Sequence, residues 1–377
     1  MKKIANIVLR VCILVVVVLV VGCSEDRGGD KMSDSEVIFE TTLPEDWNPI
    51  NSTRAEIVSG TTLPRKGFGV FAYYTENDSW ATTNATTPNF MNNTKVTSSD
   101  NGTTWKYSPV KYWPHNQADK VSFFAYAPHV SSFAVNGTKL PYTVSDDVKN
   151  QVDLMWSKTN SKDLNKNSEK INFAFQHALA KIGFTAEVQI FGSSPIDDFE
   201  KVEMKITKIV LTSNSNPTGV GTPIFYKKGT LELDNQTTQP DWAIDNTLFQ
   251  SYTLTEGNSN LENNVITVKK GHVATRQNII SDDSYLMILP QDFSSEGFDI
   301  YVEYEVSLYF RDSGSASSEY NKYDTYTNGC VGTVKVNFEA GKSYTFNIRL
   351  GLKNAVLGEI SITNWEEKTT DLPQLVQ

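Results

Sequence analysis

The chain has 377 residues and a formal net charge of −10, with 44 acidic side chains against 34 basic ones. That balance leaves no electrostatic footprint for nucleic acid or for an anionic lipid surface, so no nucleic-acid partner is expected. Only three cysteines are present, at positions 12, 23 and 330, too few for a disulfide scaffold, so the fold must rest on cores of ordinary domain size.

In chain order, Lys2, Lys3 and Arg10 precede an unbroken apolar run over 11–21. A short positive region followed by 7–15 apolar residues is a secretory signal, and the run falls short of the roughly 17–25 residues of a spanning helix. It ends in Val20-Val21-Gly22-Cys23, which resembles the lipobox of bacterial lipoproteins. The resemblance implies cleavage between Gly22 and Cys23 and acylation of the Cys23 sulfur. Acyl chains anchor at about 0.8 kcal/mol per buried methylene. An ordinary signal or an uncleaved anchor is the plainer alternative. Loss of residues 1–22 removes three basic residues and no acid, so −10 becomes −13. Cys12 leaves with the signal and Cys23 carries lipid. Cys330 is then alone, and a small packed residue is the expected role for it. Ser24-Glu25-Asp26 resembles the acidic tag that directs lipoproteins of Bacteroides-type bacteria to the outer face of the outer membrane. A solvated linker fits Gly28-Gly29-Asp30 equally well.

The remainder reads as strands joined by polar turns. Val37-Ile38-Phe39-Glu40-Thr41 is the first short strand. Further strands are expected at 68–74, 121–126, 152–156, 171–175, 182–190, 206–212, 229–233, 285–289, 298–309, 333–338, 344–352 and 359–364. Several alternate cleanly. Val334, Val336 and Phe338 form one apolar row, and Ile300, Val302, Tyr304, Val306, Leu308 and Phe310 another. Short helices are possible at 177–181 and 197–202. Long surface loops are expected at 82–104, 215–223 and 234–264. The expected class is all-β, as two tandem β-sandwiches. The divisions are a signal peptide at 1–22, a lipidated N-terminal propeptide or linker at 23–54, and sandwiches at 55–176 and 177–377.

Several segments together carry a family resemblance. They are the lipobox with its acidic tag, Ser52-Thr53-Arg54-Ala55, and Gly67-Phe68-Gly69-Val70-Phe71-Ala72-Tyr73. Tyr112-Trp113-Pro114 with Lys120-Val121-Ser122-Phe123-Phe124-Ala125-Tyr126-Ala127-Pro128 is another. Phe175-Gln176-His177-Ala178-Leu179-Ala180-Lys181-Ile182, Gly341-Lys342-Ser343-Tyr344-Thr345-Phe346-Asn347-Ile348 and Ile362-Thr363-Asn364-Trp365 complete the set. In this order and spacing they resemble the fimbrillin-like lipoproteins of Bacteroides-type bacteria, subunits of protease-assembled pili. The resemblance implies transthyretin-like sandwiches and a trypsin-like protease that cuts after an arginine near the mature N-terminus. It also implies that the emptied groove accepts a strand from another pilin subunit by addition to an open edge. Arg54 is the only basic residue between Lys31 and Arg65, in a polar stretch suited to cleavage. Cleavage between Arg54 and Ala55 would free the strand at 37–41. An uncut arginine in a linker is the alternative. The strand at 358–365 either closes its own sandwich or is donated. Twelve residues follow Trp365, with Pro373 among them, which a central strand would not tolerate.

Catalytic and metal patterns are weak. His115, His129, His177 and His272 are far apart and form no zinc spacing, so no metal and no cofactor is expected. His177 reads as a structural residue. Gly341-Lys342-Ser343 resembles the end of a phosphate loop, but Val336 stands where its first glycine is needed. Asp197-Asp198 and Asp282-Asp283 look like solvated turns. Trp80, Trp105 and Trp242 either stack on sugars or pack in the core. The leading expectation is a pilus subunit or an accessory or tip pilin acting in adhesion, without enzymatic activity. It would be lipid-anchored and surface-exposed at the outer membrane, and part of a pilus after processing. A monomeric surface adhesin that binds glycan or host protein is the alternative, and a surface hydrolase a more remote one.

Overall fold

Two long apolar runs are buried residue after residue, Phe68–Tyr74 up to the partly buried Tyr74 and Val121–Ala127 throughout. Runs of this kind fit strands covered on both faces, and that is how they are used here. The computed structural model describes residues 35–43, 62–83, 85–159, 161–168, 170–188, 199–235, 237–256, 261, 263–270, 275–280, 285–311 and 320–364. The described strands lie in one compact unit that begins at Glu36.

The N-terminal half holds β1 (Phe39–Thr42), β2 (Phe68–Tyr74), β3 (Met91–Thr97), β4 (Lys106–Tyr107), β5 (Val121–Ala127), β6 (Lys139–Thr143), β7 (Met155–Ser157) and β8 (Ile171–His177). Seven of them make one sheet in the order β1-β8-β7-β5-β2-β3-β4. A five-residue helix, α1 (Thr62–Lys66), leads into β2. Gly67 ends it at φ +77°, a left-handed position where a Cβ is costly. One face of the sheet builds a first core from Phe68, Val70, Ala72, Phe123, Ala125, Phe173 and Phe175. The opposite face sends Phe71, Tyr73, Phe124, Tyr126 and Trp156 into a second, larger core.

The C-terminal half starts with β9 (Ala180–Val188), β10 (Lys201–Thr212), β11 (Phe225–Tyr226), β12 (Lys228–Glu232), β13 (Asp241–Ile244), β14 (Phe249–Gln250), β15 (Tyr252–Thr255) and β16 (Val265–Lys269). It continues with β17 (Gln277–Asn278), β18 (Leu286–Ile288), β19 (Gln291–Asp292), β20 (Phe298–Phe310), β21 (Asn321–Val334), β22 (Asn337–Phe338), β23 (Lys342–Leu350) and β24 (Ala355–Asn364). One five-stranded sheet runs β15-β10-β20-β21, with β16 also on β10. The other runs β17-β9-β23-β24, with β18 also on β9. Inward residues of both, such as Ile206, Val302 and Tyr304 with Phe184, Phe346 and Ile348, fill the larger core. A three-stranded sheet, β13-β12-β6, carries pairing across position 176/177. The larger core likewise takes side chains from both sides of it.

The all-β class expected from the sequence is the class observed. Along β20, Ile300, Val302, Tyr304, Val306 and Leu308 are all buried, as the alternation requires. Four local expectations are corrected. The segment 177–181 is not a helix: β8 ends at His177 and β9 begins at Ala180. Residues 201–202 of the second expected helix lie in β10; Asp197 and Asp198 are outside the described residues. The expected loop 82–104 contains β3, whose residues Asn92, Asn93, Thr94 and Lys95 hide it from an apolar pattern, while Met91 and Val96 anchor it. The expected loop 234–264 contains β13, β14 and β15. The expected strand 333–338 is divided between the end of β21 and β22, yet Val334, Val336 and Phe338 remain buried.

His177 closes β8 as a buried side chain whose Nδ1 lies 2.8 Å from Oδ1 of the equally buried Asp153. An interior polar group that loses its partner retains its desolvation cost. Asp153→Ala is therefore expected to lower stability by about 1–3 kcal/mol, read as a shift in the urea midpoint at unchanged m-value.

Candidate functional site

The site is the seat that β1 occupies. In Val37-Ile38-Phe39-Glu40 the period of two points alternate residues to opposite faces. Val37 and Phe39 are 0% and 1% exposed, whereas Ile38 is 43% exposed. β1 lies parallel to β8, with Phe39 opposite Ile171 and Thr41 opposite Phe173. Ile171 N–H donates to the Ile38 carbonyl at 2.9 Å. On the other side, Val37 N–H donates to the Lys111 carbonyl at 3.0 Å, and Glu36 bridges Tyr112. The Tyr107 hydroxyl donates to the Val37 carbonyl at 2.7 Å; burial raises that phenol's pKa to about 12. The segment is thus inserted between β8 and the 107–112 stretch rather than laid on an open edge.

Among the described residues, four rings receive Phe39. Their centroids lie 5.3 Å away for Tyr107, 5.5 Å for Phe173, 6.0 Å for Phe123 and 6.2 Å for Phe68. Phe173 is stacked, and Phe68 and Phe123 present edge-to-face contacts, the arrangements aromatic pairs favour. At the rim Glu40 pairs with Lys170; both side chains are half-exposed, and such pairs contribute little.

Magnitudes decide how this strand is held. Burial of Val37 and Phe39 is worth roughly 3–6 kcal/mol, and its hydrogen bonds about 1 kcal/mol each. Association of a free peptide costs an estimated 4–15 kcal/mol. While β1 is part of the chain that cost is largely avoided, because the tether supplies a high effective concentration. As a separate peptide it would be near balance.

The strand expected at 37–41 is therefore present, as Phe39–Thr42 with Val37 buried just before it. Gly22, Cys23, Arg54 and Ala55 lie outside the described residues, as do Asp282, Asp283 and His272. Sequence reading missed Tyr107 and Lys111 as partners of the inserted segment. The Tyr112-Trp113-Pro114 motif beside them was the available signal. β24 is placed on β23 of its own sheet, with Leu357 and Ile360 packed on the larger core.

The remaining candidates pack into the fold. Trp80 Nε1 donates to Asp234 at 2.7 Å, and Trp242 Nε1 donates to the Ala178 carbonyl at 2.9 Å. Trp105 is buried beside Phe68. Cys330 lines a cleft of about 230 Å³ with Ile300, Val302, Ile348 and Leu357, and burial pushes its thiol pKa up. Among the described residues no cluster of metal-ligating side chains occurs, and no helix is long and apolar enough to cross a membrane.

An all-β protein whose N-terminal sheet is completed by a separately tethered strand is the class that fold and site define. A fimbrillin-like family profile matches residues 53–365. The chain belongs to that fimbrillin-like family. It is similar to fimbrium subunit Fim1C of Phocaeicola vulgatus, 25% identical over 390 residues, covering 93% of this chain and 94% of that protein. Its fold is similar to that of a fimbrial protein from Bacteroides vulgatus. There the TM-score is 0.58 at 20% identity, over 88% of this chain and 99% of the other.

Phe39→Ala leaves a cavity among four rings and is expected to cost about 3–5 kcal/mol in the intact chain, measured by chemical denaturation. The Cys330 thiol is expected to react with a disulfide reagent more slowly in the native chain than after unfolding, because both burial and the raised pKa lower thiolate availability.

Proposed function

We propose that this chain is a fimbrial subunit, or an accessory or tip pilin, that acts in adhesion at the cell surface in a structural rather than catalytic role. The observation that carries the mechanism is the inserted strand β1, with Val37 and Phe39 fully buried between β8 and residues 107–112. Family membership supports the subunit role.

In this reading Cys23 bears the lipid that holds the precursor at the outer face of the outer membrane. A trypsin-like, arginine-specific protease then cuts between Arg54 and Ala55. The cut separates β1 from the sandwiches at 55–176 and 177–377. With the tether lost, the balance of roughly equal terms tips toward release. The backbone edge of β8 and the ring-lined seat then accept a strand from another pilin subunit. Lipid is a temporary anchor, and the processed chain passes into the pilus.

The test is the N-terminus of the protein recovered from assembled surface fibres. Mass spectrometry is expected to find chains that begin at Ala55. Arg54→Ala is expected to leave the protein lipidated at Cys23 and absent from fibres. Assembled chains that retain Cys23 and residues 35–54, or an Arg54→Ala protein that assembles like wild type, would overturn the reading.

A further inference from the structure

The seat of β1 is shaped for one kind of side chain. Its deep position is enclosed by Phe68, Tyr107, Phe123 and Phe173, all within 6.2 Å of the Phe39 centroid. The neighbouring position, two residues earlier, holds Val37 at 0% exposure. Ile38 and Glu40 point outward and place little demand on an incoming strand. A branched aliphatic side chain in the deep position would leave part of the ring-sized space empty, and close-packed interiors penalise such voids.

The last described strand, β24, does not meet this requirement, nor do the residues that follow it to Gln377. From Ala355 to Gln377 the only aromatic residue is Trp365. Registers that use Leu357, Ile360 or Ile362 bring no ring. With Trp365 in the deep position, the Val37 position receives Thr363 in one strand direction and Glu367 in the other. Leu357 and Ile360 are moreover already packed on the larger core, so withdrawal of β24 would uncover apolar surface at home.

Resting on the strand-exchange reading above, we infer that the acceptor groove selects an extended strand from a different subunit, one that carries an aromatic residue two positions from a small aliphatic one. The chain is then an acceptor for a heterologous donor and does not polymerise with its own copies. Selection is steric: the backbone hydrogen bonds to β8 are common to any strand, and the ring decides between strands.

The experiment uses the mature chain cut after Arg54, with the cut verified by mass, and fluorescent peptides that compete with β1. One peptide has the sequence of residues 35–43, the second is the same with Phe39→Leu, and the third has the sequence of residues 355–364. The first is expected to enter roughly tenfold or more tightly than the second, with the third no better than the second. The cut chain alone is expected to stay monomeric by light scattering. Equal entry of the first two peptides, or tight entry of the third with self-association, overturns the aromatic selection while strand exchange stands. If no peptide enters and residues 35–54 stay bound after cutting, the strand-exchange reading itself fails, and this inference with it.

Discussion

The contact on which the N-terminal sheet depends is the seating of the Phe39 ring among Phe68, Tyr107, Phe123 and Phe173. These four rings come from β2, β4, β5 and β8, so one side chain ties strands from across the sheet into a single core. Hydrophobic packing is not directional and depends only on which atoms fill the space. A side chain of suitable size delivered by any chain satisfies it. That indifference to covalent origin is the physical basis on which strand exchange rests.

The two halves differ in how they close. In the C-terminal half, β9, β10, β20 and β23 belong to two sheets that share the larger core, which also takes Phe71, Tyr73, Phe124, Tyr126 and Trp156 from the N-terminal half. Its outer strands β21 and β24 follow β20 and β23 directly in the order of described strands. In the N-terminal half one apolar face is completed by a strand that stands well apart from β2 in the chain. The halves are nonetheless mechanically joined. β2 and β5 bury alternate residues in the two different cores, and β6 pairs with β12. A change in the β1 seat therefore borders directly on packing that the rest of the molecule shares.

Much of the architecture was legible because half-buried strands write their faces into the sequence. The apolar series along β20 and the buried Val334, Val336 and Phe338 follow from alternation alone. β3 was not legible, since Asn92, Asn93, Thr94 and Lys95 sit on a strand held by its neighbours β2 and β4. Segment 177–181 shows the opposite case: Ala178 and Ala180 favour helix locally, but burial of Ala178, Leu179 and Ala180 in the larger core prevails. Trp80 and Trp242 carried no signal of their own, and only their partners, Asp234 and the Ala178 carbonyl, decide that they serve the fold.

By itself the sequence determined the strand-rich class, the apolar faces, and the pattern Val37-Ile38-Phe39-Glu40-Thr41 that marks a strand buried on one side. It also supplied the candidate positions Cys23 and Arg54, which lie outside the described residues. Only the tertiary structure decided where that strand goes, because Glu40 meets Lys170 across 130 positions of chain. Local periodicity specifies which side chains face inward. The partner, its parallel direction and the four rings around Phe39 arise from contacts between distant segments, and no local pattern encodes them.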